Sequence, residues 1–117
     1  MTSLVHDGDV TVFELDTEYD ALDTARFEPF AAELQEAAKA IDPPLLVLDF
    51  GETAYIGSSF IELLIRTWKQ LDARGGRLVL CGVSGFCADV LRAARLDTLW
   101  PICPDRSAAV ALVREPS

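Results

Sequence analysis

The stretch from Leu45 to Val83 constrains the fold more than any other part of the chain. "LLVLDF" (45–50) is a nearly continuous apolar run, the pattern of a strand covered on both faces of a sheet. "RLVLCGV" (77–83) is a second such run. Between them Ile61, Leu64, Ile65, Trp68 and Leu71 recur at steps of three and four, the apolar stripe of an amphipathic helix. Gly75, in "ARGG", stands where a left-handed residue ends such a helix. Strand, helix and strand in this rhythm imply parallel pairing through a right-handed crossover.

The flanks extend the same layer. "VTVFEL" (10–15) reads as an opening strand, rich in β-branched and aromatic residues. It precedes any long helix, so it is expected to pair antiparallel at or near an edge. "TEYDALDTA" is a polar connection. From Arg26 to Ile41, Phe27, Phe30, Ala31, Leu34, Ala37, Ala38 and Ile41 mark an amphipathic helix, and "DPP" stops it. Residues 85–95 read as a short helix carrying Phe86, Val90, Leu91 and Ala94, capped by Ser84, with Cys87 on its exposed side. "LWPIC" reads as a short last strand and Ser107 to Val113 as a closing helix; Trp68 and Trp100 are expected in the core. The fold expected is α/β: one domain over residues 1–117, core about 8–113, with a mixed, mostly parallel sheet of about four to five strands and about four helices.

Composition narrows the chemistry. A net charge of −9 with scattered Lys and Arg argues against nucleic acid, which needs clustered cations. An acidic surface favours solubility and is compatible with a basic protein partner. No run approaches the length of a membrane span, and "MTSLVHDGDV" lacks a signal-peptide pattern, so a cytoplasmic protein is expected. Cys81, Cys87 and Cys103 are odd in number and form no C-x-x-C, as reduced thiols would be. The one histidine, His6, lies near an end expected to fray, which leaves nucleophilic hydrolase chemistry without a base. No metal-ligand spacing and no glycine-rich phosphate cradle are present, so no catalytic residue, metal or cofactor is assigned.

In open α/β sheets, ligands gather beyond the carboxyl ends of the strands. "DFGETAYIGSS" (49–59) is the loop that leads from such an end to a helix. Ser59-Phe60-Ile61-Glu62 fits a capping box, with Ser59 accepting from the backbone and Glu62 reaching back. Ser58 is left without a structural role, at a helix start that tolerates phosphate.

The segment "LLVLDFGETAYIGSSFIELLIRTWKQLDARGGRLVLCGVSGFCADVLRAARLDTLWPI" resembles the STAS domain of bacterial anti-sigma factor antagonists and sulphate-transporter tails. Asp49, Ser58, Ser59, Gly75, Gly76 and "LDTLWPI" fall in register with the family pattern, and Asp23 of "DALD" matches its G-x-L-D aspartate. The resemblance covers roughly residues 8 to 113. It implies a regulatory module that binds an anti-sigma factor which is also a serine kinase, with a phosphatase resetting the cycle. It makes Ser58 the phosphoacceptor and Ser59 the cap, and places Asp23, Gly57, Ser59, Phe60, Glu62 and Ser84 on the partner-binding rim. Added phosphate beside Asp23, Asp49 or Glu62 would repel the partner without unfolding the domain.

The chain departs from the pattern twice. Gly57 replaces the aspartate before the serines, and Phe60 replaces the glycine after them. Phe60 either packs inward as core or stands out as an apolar anchor. Asp49 either accepts local N–H groups or lines the site, and Asp23 either starts a helix or meets the partner. The alternative function is a scaffold or sensor that binds protein or a small ligand without phosphorylation. An enzyme using Ser58 or a cysteine is disfavoured, because no base or oxyanion constellation is visible. The transporter branch is disfavoured by the lack of a membrane segment, and the oligomeric state stays open, since an edge strand permits dimers.

Overall fold

The structure, a computed structural model, describes residues 3–15, 24–51 and 58–115. Five strands lie in the order β1 (Ser3–Asp7), β2 (Val10–Glu14), β3 (Leu45–Asp49), β4 (Arg77–Cys81) and β5 (Ile102–Cys103). β1 is antiparallel to β2, and every other pairing is parallel. The helices are α1 (Thr24–Ala40), α2 (Ser58–Ala73), α3 (Gly85–Ala93) and α4 (Arg106–Arg114), with a 3-10 turn over Leu96–Thr98. The α/β expectation, with its mixed sheet and four helices, holds.

Connectivity decides the layers. Strands β2 to β5 follow one another in sequence order, so right-handed crossovers place α1, α2 and α3 on one face. The core follows: Phe13, Leu46, Leu48, Leu78 and Leu80 meet Leu34, Leu63, Leu64, Leu71, Cys87 and Leu91. The alternate residues Val10, Val12, Val47, Val79 and Cys81 meet Ala109, Val110 and Val113 of α4 on the other face. The two-residue period thus divides each apolar run between two helix layers.

α2 stops at a Schellman turn. Gly76 N–H donates to Leu71 O at 2.7 Å and Gly75 N–H to Asp72 O at 3.0 Å, with Gly75 at φ +75°. Gly76 then passes so close to Pro44 that a Cβ would stand 2.2 Å from the Pro44 carbonyl oxygen. Between α1 and α2 the buried Thr67 accepts from Gln35 Nε2 at 3.1 Å and donates to Leu63 O at 2.8 Å, which fixes how the two helices face.

The opening strand Val10–Glu14 pairs antiparallel with β1 one place in from the edge, as expected, and parallel with β3; the edge strand β1 itself is an addition to the sequence reading. β1 carries no apolar alternation to read, since Leu4, Val5 and His6 are all exposed. His6 therefore lies in a strand, with Nδ1 3.4 Å from Thr11 Oγ1. In α3 the buried stripe runs through Cys87 and Leu91 with Val90 packed against it, so the expectation holds for Val90 and Leu91 and fails for Phe86, Cys87 and Ala94. Cys87 is fully buried and Phe86 is 53% exposed. Trp100 is core, and Trp68 packs edge-on against it at 6.4 Å.

Candidate functional site

Both serines fall in the first turn of α2, at the carboxyl end of the parallel sheet. The helix already includes Ser58 and Ser59, two residues before a box capped by Ser59 would begin it at Phe60, so Ser59 is not its N-cap. The reason is the apolar stripe. Phe60 joins Leu63, Leu64, Thr67 and Leu71 in the fully buried face, which extends helical phase one turn further toward the N-terminus. Ser59 and Glu62 are exposed. Phe60 is fully buried, its ring 5.7 Å from Phe50 in an edge-on contact, so it is core and not a surface anchor. Of Ser58 only the backbone is described, and Asp23 and Gly57 lie outside the described residues.

Ser84 caps α3 as expected: its Oγ accepts from Cys87 N–H at 3.3 Å. This brings a second helix N-terminus, with half-buried Ser84 and exposed Phe86, to the same end and the same face of the sheet as α2. The first N–H groups of both helices lack partners within their helices, so this end presents two partial positive charges.

Asp49 looks the other way. It continues the face of Val47, so its carboxylate points to the α4 side, in register with Glu14 on β2. Two acids side by side on adjacent strands would repel. Arg106, in the first turn of α4, resolves this. Its Nη2 lies 2.5 Å from Glu14 Oε2 and 2.9 Å from Asp49 Oδ2, and its Nε lies 3.2 Å from the same Asp49 oxygen. These carboxylates, Glu14 first and Asp49 second, push the guanidinium pKa up from its ordinary value. The other Asp49 oxygen accepts from Gly51 N–H at 2.9 Å, so Asp49 is a local acceptor and ion-pair partner and does not line the serine rim. Gly82, at φ +63°, leaves room for it; a Cβ there would come within 2.6 Å of Asp49 Oδ1.

Arg106 escaped the sequence reading. One signal was present: a cation in the first turn of a helix opposes the helix dipole, so its presence implies a specific carboxylate partner. Among the described residues, no group of three or more His, Cys, Asp or Glu residues is placed to hold a metal ion. None of the described helices is long and apolar enough to cross a membrane.

The model of the STAS domain matches residues 2–109, nearly the whole chain. The chain belongs to the STAS domain family. This STAS domain is 32% identical over 66 residues to BtrV of Bordetella bronchiseptica, a protein whose name assigns it provisionally to the anti-sigma factor antagonists. That match takes in 56% of this chain and 57% of the relative. A STAS domain protein from Planctomyces limnophilus, titled an anti-sigma factor antagonist, superposes with a TM-score of 0.88 at 29% identity, covering 97% of this chain and 98% of the other. An anti-sigma factor antagonist from Mycobacterium paratuberculosis shares the fold, with a TM-score of 0.77 at 22% identity over 98% of this chain and 94% of that one. The fold of this STAS domain is thus that of anti-sigma factor antagonists.

Proposed function

We propose that this STAS domain is a cytoplasmic regulatory binding module of the anti-sigma factor antagonist type. Its partner is an anti-sigma factor that is also a serine kinase, and phosphorylation of Ser58 ends the complex. The observation that carries this reading is the first turn of α2: the Ser58 backbone opens the helix at the sheet's carboxyl end, while Phe60 turns fully into the core. The bulk that replaces the family glycine therefore adds nothing to the surface on which a partner would dock. Exposed Ser59 and Glu62, with Ser84 at the start of α3, supply its polar contacts, together with Gly57, which directly precedes α2 in sequence, and Asp23, which directly precedes α1.

A phosphate on Ser58 would sit at a helix N-terminus, where the dipole favours negative charge, so the domain stays folded. It would meet the partner as about −1.5 to −2 added charges close to Glu62, and docking would fail through repulsion and desolvation. A phosphatase then restores the binding form. Gly57, which lacks the family's acidic side chain, favours one alternative: a scaffold that binds protein or a small ligand without this cycle.

The test is titration calorimetry of wild-type, Ser58→Ala and Ser58→Asp proteins against the anti-sigma factor/serine kinase of the same cells. Binding by the first two and at least tenfold weaker binding by Ser58→Asp supports the switch. Equal binding by all three would establish the scaffold instead.

A further inference from the structure

The α4 side of the sheet ends in one continuous row. Glu14 is in register with Asp49, Asp49 with Cys81, and Cys81 with Cys103. The first two members are bound by Arg106. The last two are free thiols on adjacent parallel strands, and residues in register leave a sheet on the same side. Both lie in the layer beneath α4, Cys81 fully buried among Val47 and Val79, and Cys103 packed against that cluster but half-buried.

We propose that Cys81 and Cys103 form a modification site: a cross-strand dithiol that closes to a disulfide when a low-molecular-weight disulfide such as oxidised glutathione reaches it. Adjacent strands stand about 4.8 Å apart, inside the Cα separation of about 4.4–6.8 Å that a disulfide spans. The Cβ atoms of a disulfide approach to about 3.8 Å, so one strand must draw in by about 1 Å. β5 is able to do so: it is a two-residue edge strand followed directly by exposed Pro104 and Asp105. The strain that remains makes the bond easy to reduce, the behaviour of a reversible disulfide rather than a structural one.

Exposure sets the order of events. The Cys103 thiolate attacks one sulfur of the oxidant and releases the first glutathione thiolate. The Cys81 thiolate then attacks the Cys103 sulfur of the mixed disulfide and releases the second. Two cysteine thiols are oxidised, one external disulfide is reduced to two thiols, and the protons of Cys81 and Cys103 pass to the departing thiolates. Cys87 is excluded, because it lies on the opposite face among Leu91 and its neighbours. The bond closes residues 82–102, with the Ser84 cap and α3, into a covalent loop beside Asp49.

The experiment incubates the folded full chain with oxidised glutathione at pH 8.5, followed by intact-mass spectrometry and peptide mapping without reduction. The expected product is lighter by the mass of two hydrogen atoms, carries a Cys81–Cys103 peptide, forms equally in Cys87→Ser, and reverts with reduced glutathione. Cys103→Ser is expected to lose the product while keeping the wild-type circular dichroism spectrum. A stable glutathione adduct on Cys103, a bond that includes Cys87, or an unchanged mass would each overturn the proposal. None of these outcomes depends on Ser58 or on a partner.

Discussion

Arg106, from the first turn of α4, grips Asp49 at the end of β3 with Nε at 3.2 Å and Nη2 at 2.9 Å from a single carboxylate oxygen. The same Nη2 reaches Glu14, so one guanidinium clamps the ends of two parallel strands to the helix that covers them. Asp49 is therefore part of the frame, on the face of the sheet opposite α2 and its two serines.

Removing the clamp uncovers the repulsion between the two acids. Arg106→Ala is expected to cost about 1–2 kcal/mol, above the usual surface ion pair because Asp49 is only 17% exposed. Urea unfolding measures it. Adding Asp49→Asn to Arg106→Ala should recover part of the loss, the non-additivity expected of a shared network.

Phe60→Ala is expected to destabilise the domain by about 3–5 kcal/mol, as a large cavity beside Phe50 would. Phe60→Leu should cost much less. A folded Phe60→Leu protein should bind partner with unchanged affinity, because the ring does not reach the surface.

Ser58→Asp is expected to leave the melting temperature unchanged or slightly raised, since an acid in the first turn of α2 gains about 0.3–1 kcal/mol from the helix dipole. A thermal melt checks this, and it separates loss of binding from loss of fold.

Burial first, and the neighbouring Asp49 charge second, push Cys81 from its ordinary value of 9.0 up to about 12. The unfolded chain thus releases the thiol proton before the folded chain does. Stability is complete below pH 9.0 and falls between there and about pH 12, while Cys81→Ala should show a shallower fall over that interval. Urea midpoints measured from pH 8 to pH 11 give both slopes.

The parallel core was legible because its signal is long and redundant. Leu46 and Leu48 against Val47, and Leu78 and Leu80 against Val79, bury both faces, and Gly75 and Gly76 mark the helix end. β1 escaped because an edge strand with Leu4 and Val5 exposed carries no buried face to read. In α3 the residues Phe86 and Cys87 differ by one position, about 100° of helix, and hydrophobicity alone favoured the wrong one. Burial of Phe60 could not be chosen from sequence, since both directions fit a first-turn position. Arg106 required the third dimension: Glu14 and Asp49 meet it only because β2 and β3 pair in register beneath α4.

The most direct measurement is intact-mass spectrometry with phosphosite mapping on the protein purified from its native cells, in growth and under stress. A fraction heavier by one phosphate, mapped to Ser58, is the expected result. A chain that is unmodified in every condition, or phosphorylated elsewhere, would contradict the switch.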